Sequence, residues 1–249
     1  GIVSYEFGLK SDINEWDVSN ITSMEDLGLY LGKNFNEYIN DWDVSNVVNM
    51  KGLFYNCNNY NQPLYKWDVS NVTDMTDMFR DCTSFNQSLD AWNVSKVTNM
   101  NGMFDNCIEF NQSLNSWDVS NVTSMESMFD YCEVFNQPLE AWNVGKVTNM
   151  NSMFENCIEF NQPLNSWDVS SVTSMESMFD NCQTFNQPLD RWNVSNVEEF
   201  GYMFDGCKSF NQSLQKWKIS VFADADNIFA NCGDDLLRTY PKLKNNLNL

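Results

Sequence analysis

Apolar residues recur along this chain in a pattern that returns about every 25 residues. The turn that begins at Trp117 shows it clearly, with apolar residues three or one apart: Val122, Met125, Met128, Phe129 and Cys132. This spacing places them on one face of a helix and leaves Asp130, among other polar residues, on the outward face. The segment opens with a Thr followed three residues later by a Glu, the spacing of a capping box. The pattern therefore predicts a helix over 123–132.

A different period precedes each helical pattern. Trp117 and Val119 are apolar and flank the polar Asp118, which is the alternation of a half-buried strand. We therefore predict a short strand over about 116–119, with Asp118 facing outward. Equivalent strands of neighbouring turns would lie side by side as a parallel sheet.

The pattern is copied along nearly the whole chain, which predicts an α/β repeat solenoid of about nine turns. Residues 1–249 form one domain in this interpretation: a partial repeat and cap over 1–15, nine repeats over 16–232 and a cap over 233–249. Each repeat starts at a Trp: Trp16, Trp42, Trp67, Trp92, Trp117, Trp142, Trp167, Trp192 and Trp217.

The last turn departs from the consensus. Ile219 and Phe222 stand where other turns have two Val, and Ala225 replaces the first Met. Ile228 and Phe229 return to the regular positions. We expect all five to serve the core positions that they replace.

An Asn recurs at one position of the linker between the helical and strand patterns. Its side chain can satisfy backbone groups where the chain turns without a sheet ladder. We predict an internal Asn ladder rather than a ligand site, formed by Asn61, Asn86, Asn111, Asn136, Asn161, Asn186 and Asn211.

The charge balance narrows the possible partners. The chain has 14 Lys and Arg against 34 Asp and Glu, a net charge of -20. Such a surface repels nucleic acid and anionic membranes, so we expect neither as a partner. No apolar run is long enough to span a membrane, and no signal peptide is recognisable. The chain begins at Gly1, so we expect a trimmed fragment.

All eight Cys occupy one position of the repeat, from Cys57 to Cys232. The regular placement at the end of an apolar pattern favours a buried column of reduced thiols. Disulfides between neighbouring turns are the alternative. A metal site is not expected because the chain has neither a CxxC motif nor any His, and no cofactor is predicted.

The sharpest candidate for a binding face is the polar residue that follows each Trp. A solenoid commonly binds its partner on its extended sheet surface, and a row of carboxylates would attract a basic protein or a cation. The alternative is that Asp and Ser order the turn by local hydrogen bonds. The candidate residues are Asp43, Asp68, Asn93, Asp118, Asn143, Asp168 and Asn193.

Catalysis is not predicted. The chain contains no His, the commonest general base. The acids repeat in equivalent positions, so no carboxyl pair is set apart for acid–base work.

The repeat also carries a family resemblance. The string WDVSNVTSMESMFDYCEVFNQPLEAW over 117–142 resembles the BspA-like leucine-rich repeats, in particular the surface-protein repeat of mycoplasma and listeria lipoproteins and of some large DNA viruses. The resemblance extends over about 13–232. It implies a leucine-rich-repeat-like, right-handed superhelix with short parallel strands on one face and short helices on the other. It further implies a surface-exposed, extracellular or virion location and a role in surface interaction or adhesion, and it brings no catalytic residues.

Three functions follow for comparison. The leading hypothesis is a non-enzymatic module, expected as a monomer, that binds an unknown protein or glycan through the solenoid face. The second is a structural spacer or packing protein of a virion or cell surface, whose identical turns self-associate. An enzyme is the third.

Overall fold

The computed structural model describes residues 13–232, so the predicted caps over 1–15 and 233–249 lie almost entirely outside the described residues. Among these residues, helix is confined to a 3-10 helix over Ile13–Glu15, just before the first repeat, and an α-helix, α1, over Gly28–Leu31 within it. Between 13 and 232 no strand longer than an isolated bridge is assigned. The remaining backbone consists of turns and of residues without regular structure. The shape of each repeat must therefore come from its contacts with its neighbours.

A single parallel bridge joins each repeat to the next, always at the same position of the repeat. This position lies seven residues after the Trp, so that the bridges form one line across nine successive copies. The eight bridges are Ser23–Asn49, Asn49–Asp74, Asp74–Asn99, Asn99–Ser124, Ser124–Asn149, Asn149–Ser174, Ser174–Glu199 and Glu199–Asp224.

Backbone hydrogen bonds continue from the bridge in an alternating pattern. The N–H groups of Met125, Ser127 and Phe129 donate to carbonyls of the next repeat, with N···O distances of 2.8–3.0 Å. The N–H groups between them turn back into their own repeat, as Met128 N–H does to the Met125 carbonyl at 3.2 Å. Some backbone groups that would pair within a helix therefore bond to the neighbouring repeat. These bonds satisfy amides that would otherwise be buried without a partner.

The helix predicted over 123–132 is wrong. Ser127 and Tyr131 have φ angles of 52° and 55°, in the left-handed region that interrupts a right-handed helix. The predicted capping box is also absent, because the Thr123 hydroxyl donates to the Thr98 carbonyl of the preceding repeat at 3.1 Å. The three-residue spacing of apolar positions is real, and it arises from successive tight turns rather than from an α-helix.

The strand predicted over 116–119 is not assigned either. Trp117 and Val119 are buried and Asp118 is exposed, so the predicted alternation of burial is confirmed. Residue 116 belongs to a turn, and the parallel pairing lies further on, at Ser124. The parallel sheet expected beside the Trp residues is therefore reduced to one bridge per repeat.

The core consists of columns of equivalent side chains. In the turn that begins at Trp117, nine apolar positions are each at most 3% exposed: Trp117, Val119, Val122, Met125, Met128, Phe129, Cys132, Phe135 and Leu139. Neighbouring Phe rings stack, as Phe104 does on Phe129 with centroids 5.7 Å apart and planes inclined by 8°. Burial of such surface stabilises a fold by about 25 cal/mol per Å². Because each side chain packs against its own copies, the core extends from repeat to repeat.

Polar atoms inside these columns also bond between copies. Eight Trp indole N–H groups, from Trp42 to Trp217, donate to a main-chain carbonyl 28 or 29 residues earlier in the chain, three residues before the preceding Trp, with N···O distances of 2.9–3.2 Å. A buried Trp therefore contributes both apolar area and a satisfied donor, which fixes its ring relative to the repeat before it.

The predicted Asn ladder is confirmed. Each Asn of the series from Asn61 to Asn211 donates its backbone N–H to the side-chain oxygen of the equivalent Asn one repeat earlier, at 2.9–3.1 Å. The Gln that follows each of them adds a second bond, as Gln137 Nε2 does to Asn111 Oδ1 at 3.0 Å. The ladder stabilises a stretch of backbone that lacks a sheet.

The last turn matches the expectation only in part. Ala225, Ile228 and Phe229 are buried at the core positions predicted for them, and Ile219 is partly buried against the core. Phe222 is not buried: 94% of it is exposed, and the neighbouring Val221 is 72% exposed. The equivalent positions of the regular turns hold buried Val residues whose N–H closes the turn. In the last turn the Ala223 N–H bonds to the Ser220 carbonyl instead, and Ala223 packs against the core in place of Phe222.

Candidate functional site

The seven candidate residues form one exposed row. Each stands between a buried Trp and a buried Val of its own repeat, and each is exposed to solvent. We call them the Asp/Asn row: Asp43, Asp68, Asn93, Asp118, Asn143, Asp168 and Asn193. The contacts between successive repeats bring the seven residues into one series of equivalent positions.

One side-chain oxygen of each row residue orders the following turn. Asp43 Oδ1 accepts the backbone N–H of Ser45 at 3.1 Å and the Ser45 hydroxyl at 2.6 Å. Asp118 Oδ1 likewise accepts the N–H of Ser120 at 3.1 Å, and Asn93 Oδ1 does the same for its own Ser. This is the local hydrogen bonding that the sequence offered as the alternative role.

These bonds also fix the charge of the Asp members. The Ser hydroxyl first, and then the Ser backbone N–H, lower the pKa of Asp43, Asp68, Asp118 and Asp168 below the usual value of 3.8. A hydrogen bond donated to a carboxylate favours its charged form. The Asp residues of the row are therefore anions at neutral pH. Their second oxygen, Oδ2, has no hydrogen-bond partner among residues 13–232.

Two Lys residues lie beside the row. Lys96 and Lys146 each follow a row Asn by three residues, and both are exposed. The Lys96 ammonium donates to the side-chain oxygen of Asn71 at 2.7 Å. Two repeats later, the Lys146 ammonium donates to the side-chain oxygen of Asn121 at the same distance. After the Ser bonds, their positive charges add to the lowering of the pKa of Asp68 and Asp118.

A second set of acids lies elsewhere on the repeat, immediately after the stacked Phe residues. Five successive repeats have an acid at this position, which we call the acid column: Asp105, Asp130, Glu155, Asp180 and Asp205. The Phe rings that precede them stack with centroids 5.6–5.7 Å apart, so the acids follow one another along this stack, one in each repeat.

The acid column is much less exposed than the Asp/Asn row. Asp105 is 7% exposed, and the other four are partly buried. Burial raises the pKa of Asp105 to about 6 and that of Asp130 and Asp180 to about 7. Repulsion from neighbouring carboxylates adds to the effect of burial, chiefly from Glu155 on Asp130 and on Asp180. Both causes disfavour the charged form.

One cation meets the column at its first member. Arg80 occupies the equivalent position one repeat before Asp105, and its Nε lies 3.2 Å from Asp105 Oδ2. Its Nη1 lies 3.4 Å from Asp77 Oδ1. The attraction of Arg80 lowers the pKa of Asp105 and so opposes the larger effect of burial.

The acid column was not predicted from the sequence, because a helix over 123–132 would place Asp130 on its solvent side. The expectation that the acids repeat in equivalent positions did not separate two sets: the pKa of the row Asp residues is lowered, and the pKa of Asp105, Asp130 and Asp180 is raised. A signal was present: an acid stands thirteen residues after the Trp in five consecutive repeats. Within residues 13–232, no cluster of three or more His, Cys, Asp or Glu side chains is arranged to hold a metal ion.

Three overlapping segments of the chain match one protein family, described as "Mycoplasma protein of unknown function, DUF285". The matches cover residues 3–107, 87–169 and 137–236, which together include most of the sequence.

The chain belongs to the DUF285 family.

The overlapping matches confirm that it is a tandem repeat protein of a mycoplasma-type repeat family. No curated protein matches the chain.

The Cys side chains of these DUF285 repeats lie in or beside the core. Seven of the eight Cys are buried and Cys232 is partly buried, all as free thiols. From Cys82 onward each S–H donates to the carbonyl of the core Phe in the preceding repeat, with S···O distances of 2.7–3.1 Å. Burial raises the pKa of Cys57 to about 12 and that of Cys232 to about 11. Thiols held in this way are poor nucleophiles at neutral pH.

The described part of this DUF285 chain contains no helix that is both long and apolar enough to cross a membrane.

Proposed function

We propose that this DUF285 chain is a non-enzymatic repeat protein that binds a protein or glycan partner through the Asp/Asn row. One observation carries the proposal: the row is exposed in every repeat from Asp43 to Asn193 while each member is held by a bond to its own turn. A rigid polar side chain loses little conformational freedom on binding, which favours recognition. The unpaired Oδ2 atoms offer regularly spaced acceptors to a partner's amides, hydroxyls or ammonium groups.

The proposal includes an architecture. We infer that the nine turns coil as one right-handed, leucine-rich-repeat-like solenoid, so that the row follows its length. The line of parallel bridges and the stacked Trp and Phe rings support this arrangement, because each of these bridges and stacks links a position to its copy in the next turn. In repeat proteins such an arrangement creates an extended binding surface.

A finer assignment belongs to the same proposal. We infer that the chain is a surface protein of the BspA-like type, exposed on a cell or a virion, as the WDVSNVT string suggests. Membership of a mycoplasma-type repeat family supports it. The non-enzymatic role is supported by the use of the row carboxylates in turn formation and by the burial of the thiols.

The test is a binding experiment with a row variant. Purified chain is screened against a glycan array and against host-cell surface proteins, and captured proteins are identified by mass spectrometry and rebound in pure form. The variant D43N/D68N/D118N/D168N is expected to lose binding by tenfold or more and to keep its fold, because Asn occupies this position natively in alternate repeats.

A matched control removes four exposed charges away from the row, in D41N/D90N/E140Q/E159Q. It should bind like the wild type. A partner that binds the row variant as tightly as the wild type would place recognition on another face and contradict the proposal.

A further inference from the structure

The order of charges along the row is self-complementary when one copy of the chain is laid antiparallel to another. Starting at Asp43 and taking one residue per repeat, the row followed by Lys218 reads Asp, Asp, Asn, Asp, Asn, Asp, Asn, Lys. When the series is reversed and laid against itself, each Asp meets an Asn or a Lys. The four resulting combinations are Asp43 with Lys218, Asp68 with Asn193, Asn93 with Asp168, and Asp118 with Asn143.

The same combinations are complementary as hydrogen bonds. Asp118 uses Oδ1 for the Ser120 turn and leaves Oδ2 as an acceptor. Asn143 uses its oxygen for the N–H of Gly145, at 3.2 Å, and leaves its Nδ2 donors without a partner among the described residues. An Asn amide opposite an Asp carboxylate therefore forms a hydrogen bond to a charged acceptor, which is stronger than a neutral one.

Neighbouring Lys residues reinforce the arrangement. Lys96 and Lys146 belong to the repeats in which the row residue is Asn. When Asp168 lies opposite Asn93, it also comes near Lys96, whose long side chain can reach across. The outward groups from Asp68 to Asp168, at the first and fourth positions after each Trp, comprise three Asp and two Lys, a net charge of -1. The whole chain has -20, so this stretch of the row repels a second copy much less than the net charge of the chain suggests.

We propose that the Asp/Asn row is a homodimer interface, in which a second copy of this chain lies antiparallel, with the two-fold axis between the Asp118 and Asn143 repeats. The two-fold axis makes each combination occur twice, as in an isologous interface. A parallel arrangement displaced by one repeat would not close and would lead to open assemblies. The proposal deepens the proposed function, because it names the partner of the same row, in place of the monomer expected from the sequence. It gives the row the packing role that the sequence analysis offered as the second hypothesis.

The decisive experiment changes which row residues face each other across the proposed dimer interface. In the variant N93D/N143D/N193D, three of the four combinations place Asp against Asp, so the dimer should be lost. In D68N/D118N/D168N every one of these three combinations becomes Asn against Asn. A mixture of the two variants restores Asp against Asn. Each substitution introduces the residue that the neighbouring repeat already has, so the fold should persist, which thermal unfolding verifies.

Association is measured by sedimentation velocity at about 0.15 M salt, where the Debye length is about 8 Å and the repulsion between the remaining charges is short-ranged. Wild type should form dimers, and N93D/N143D/N193D should sediment as a monomer. A tagged copy of N93D/N143D/N193D should capture untagged D68N/D118N/D168N and fail to capture its own untagged form. The control S88D/S113D/S213D adds the same three charges at exposed positions outside the row and should remain dimeric.

Two results would overturn the dimer: a wild type that is monomeric at every protein concentration tested, or dimers that N93D/N143D/N193D leaves intact. The two proposals fail separately. A monomeric chain whose row still captures another protein or glycan would refute only the dimer. A dimer that is sensitive to row variants, together with no binding on the array and no captured protein, would refute only the proposed binding of a foreign partner.

Discussion

The Asp/Asn row and the acid column both contain Asp side chains at a fixed position of the repeat, and the pKa of these Asp side chains shifts in opposite directions. In the row, Asp118 receives bonds from Ser120 and its pKa lies below 3.8. In the column, Asp130 is twelve residues later in the same turn, and burial raises its pKa to about 7. The two sites differ in solvent contact and in the donors that face the carboxylate. A count of acids, which gave one net charge for the whole chain, therefore hides two populations that titrate in different ranges of pH.

Truncation of a core aromatic residue near either region should have the largest effect on the free energy of unfolding. Trp117→Ala and Phe129→Ala each empty a fully enclosed aromatic site and should lower the free energy of unfolding by about 3–5 kcal/mol. Phe129→Ala should also admit water next to Asp130 and return its pKa towards 3.8. Trp117→Ala should leave that pKa unchanged. Denaturant unfolding combined with NMR titration of the Asp130 carboxyl tests both statements, and a loss below about 1 kcal/mol for either variant would contradict the assigned burial.

The pH dependence of stability should show the two populations directly. The folded pKa values of Asp105, Asp130 and Asp180 are raised to about 6–7, so the folded state binds more protons than the unfolded state above about pH 4. Their stabilisation is complete below pH 4 and is lost as the pH rises through 6–7. The row has lowered values, so its contribution is present above about pH 4 and is lost at lower pH.

Maximum stability is thus expected between about pH 4 and pH 6. The loss from pH 5 to pH 8 should be about 1 kcal/mol for each of the three carboxyls, once solvent screening is allowed for. Guanidinium unfolding at the two pH values measures it. Equal stability at pH 5 and pH 8 would show that the column is fully solvated.

Removal of Arg80, the cation beside the first residue of the acid column, should increase the difference in pKa between the column and the row. Arg80→Gln deletes the ion pair with Asp105 and should raise the pKa of that carboxyl further, because burial is then unopposed. At pH 8 the cost should be about 1–2 kcal/mol, and at pH 5 it should be smaller since Asp105 is then mostly neutral. Arg191→Gln, in an exposed residue outside the column, is the control and should change neither quantity.

A matched pair of Asn substitutions should give small effects of opposite sign. Asp130→Asn removes a destabilising charge and should raise the free energy of unfolding by about 1 kcal/mol at pH 8, with no change at pH 5. Asp118→Asn removes a favourable charged acceptor from an exposed turn and should lower it by less than about 0.5 kcal/mol at pH 7. Chemical unfolding of Asp130→Asn at pH 5 and pH 8, and of Asp118→Asn at pH 7, measures these effects. A loss of stability from Asp130→Asn at pH 8 would mean that its carboxylate is held by bonds that outweigh burial.

The sequence allowed the core to be predicted and the backbone to be mistaken, for one physical reason. Burial follows from repetition: a Trp or Phe that recurs in register must stack on its own copy, whatever path the chain takes between them. The helix over 123–132 failed because apolar residues three apart suit a helix and also a series of tight turns. What distinguishes the two is whether the Met125 and Ser127 N–H groups bond within the repeat or to the next one, and side-chain pattern does not contain that information.

The exposure of the Asp/Asn row could be predicted from the sequence, whereas the acid column could not. The exposure of Asp118 follows from its place between two buried residues, so alternation was enough to find the row. The acid column required the true path of the backbone, because a helical Asp130 would have pointed to water. Phe222 failed because the last turn closes one residue later than the regular turns: the Ala223 N–H bonds to the Ser220 carbonyl, whereas Val122 N–H bonds to the Val119 carbonyl.

The indole ladder has a consequence for how a gene of this kind can change length. Each indole N–H from Trp42 to Trp217 bonds to a main-chain carbonyl 28 or 29 residues earlier in the chain. Unequal recombination between near-identical coding units would insert or delete whole turns, and each junction would still supply a donor and a carbonyl in register. Such proteins can thus grow or shrink in steps of one turn without a new core being selected, so that copy number is free to drift between related genomes while the turn itself stays fixed.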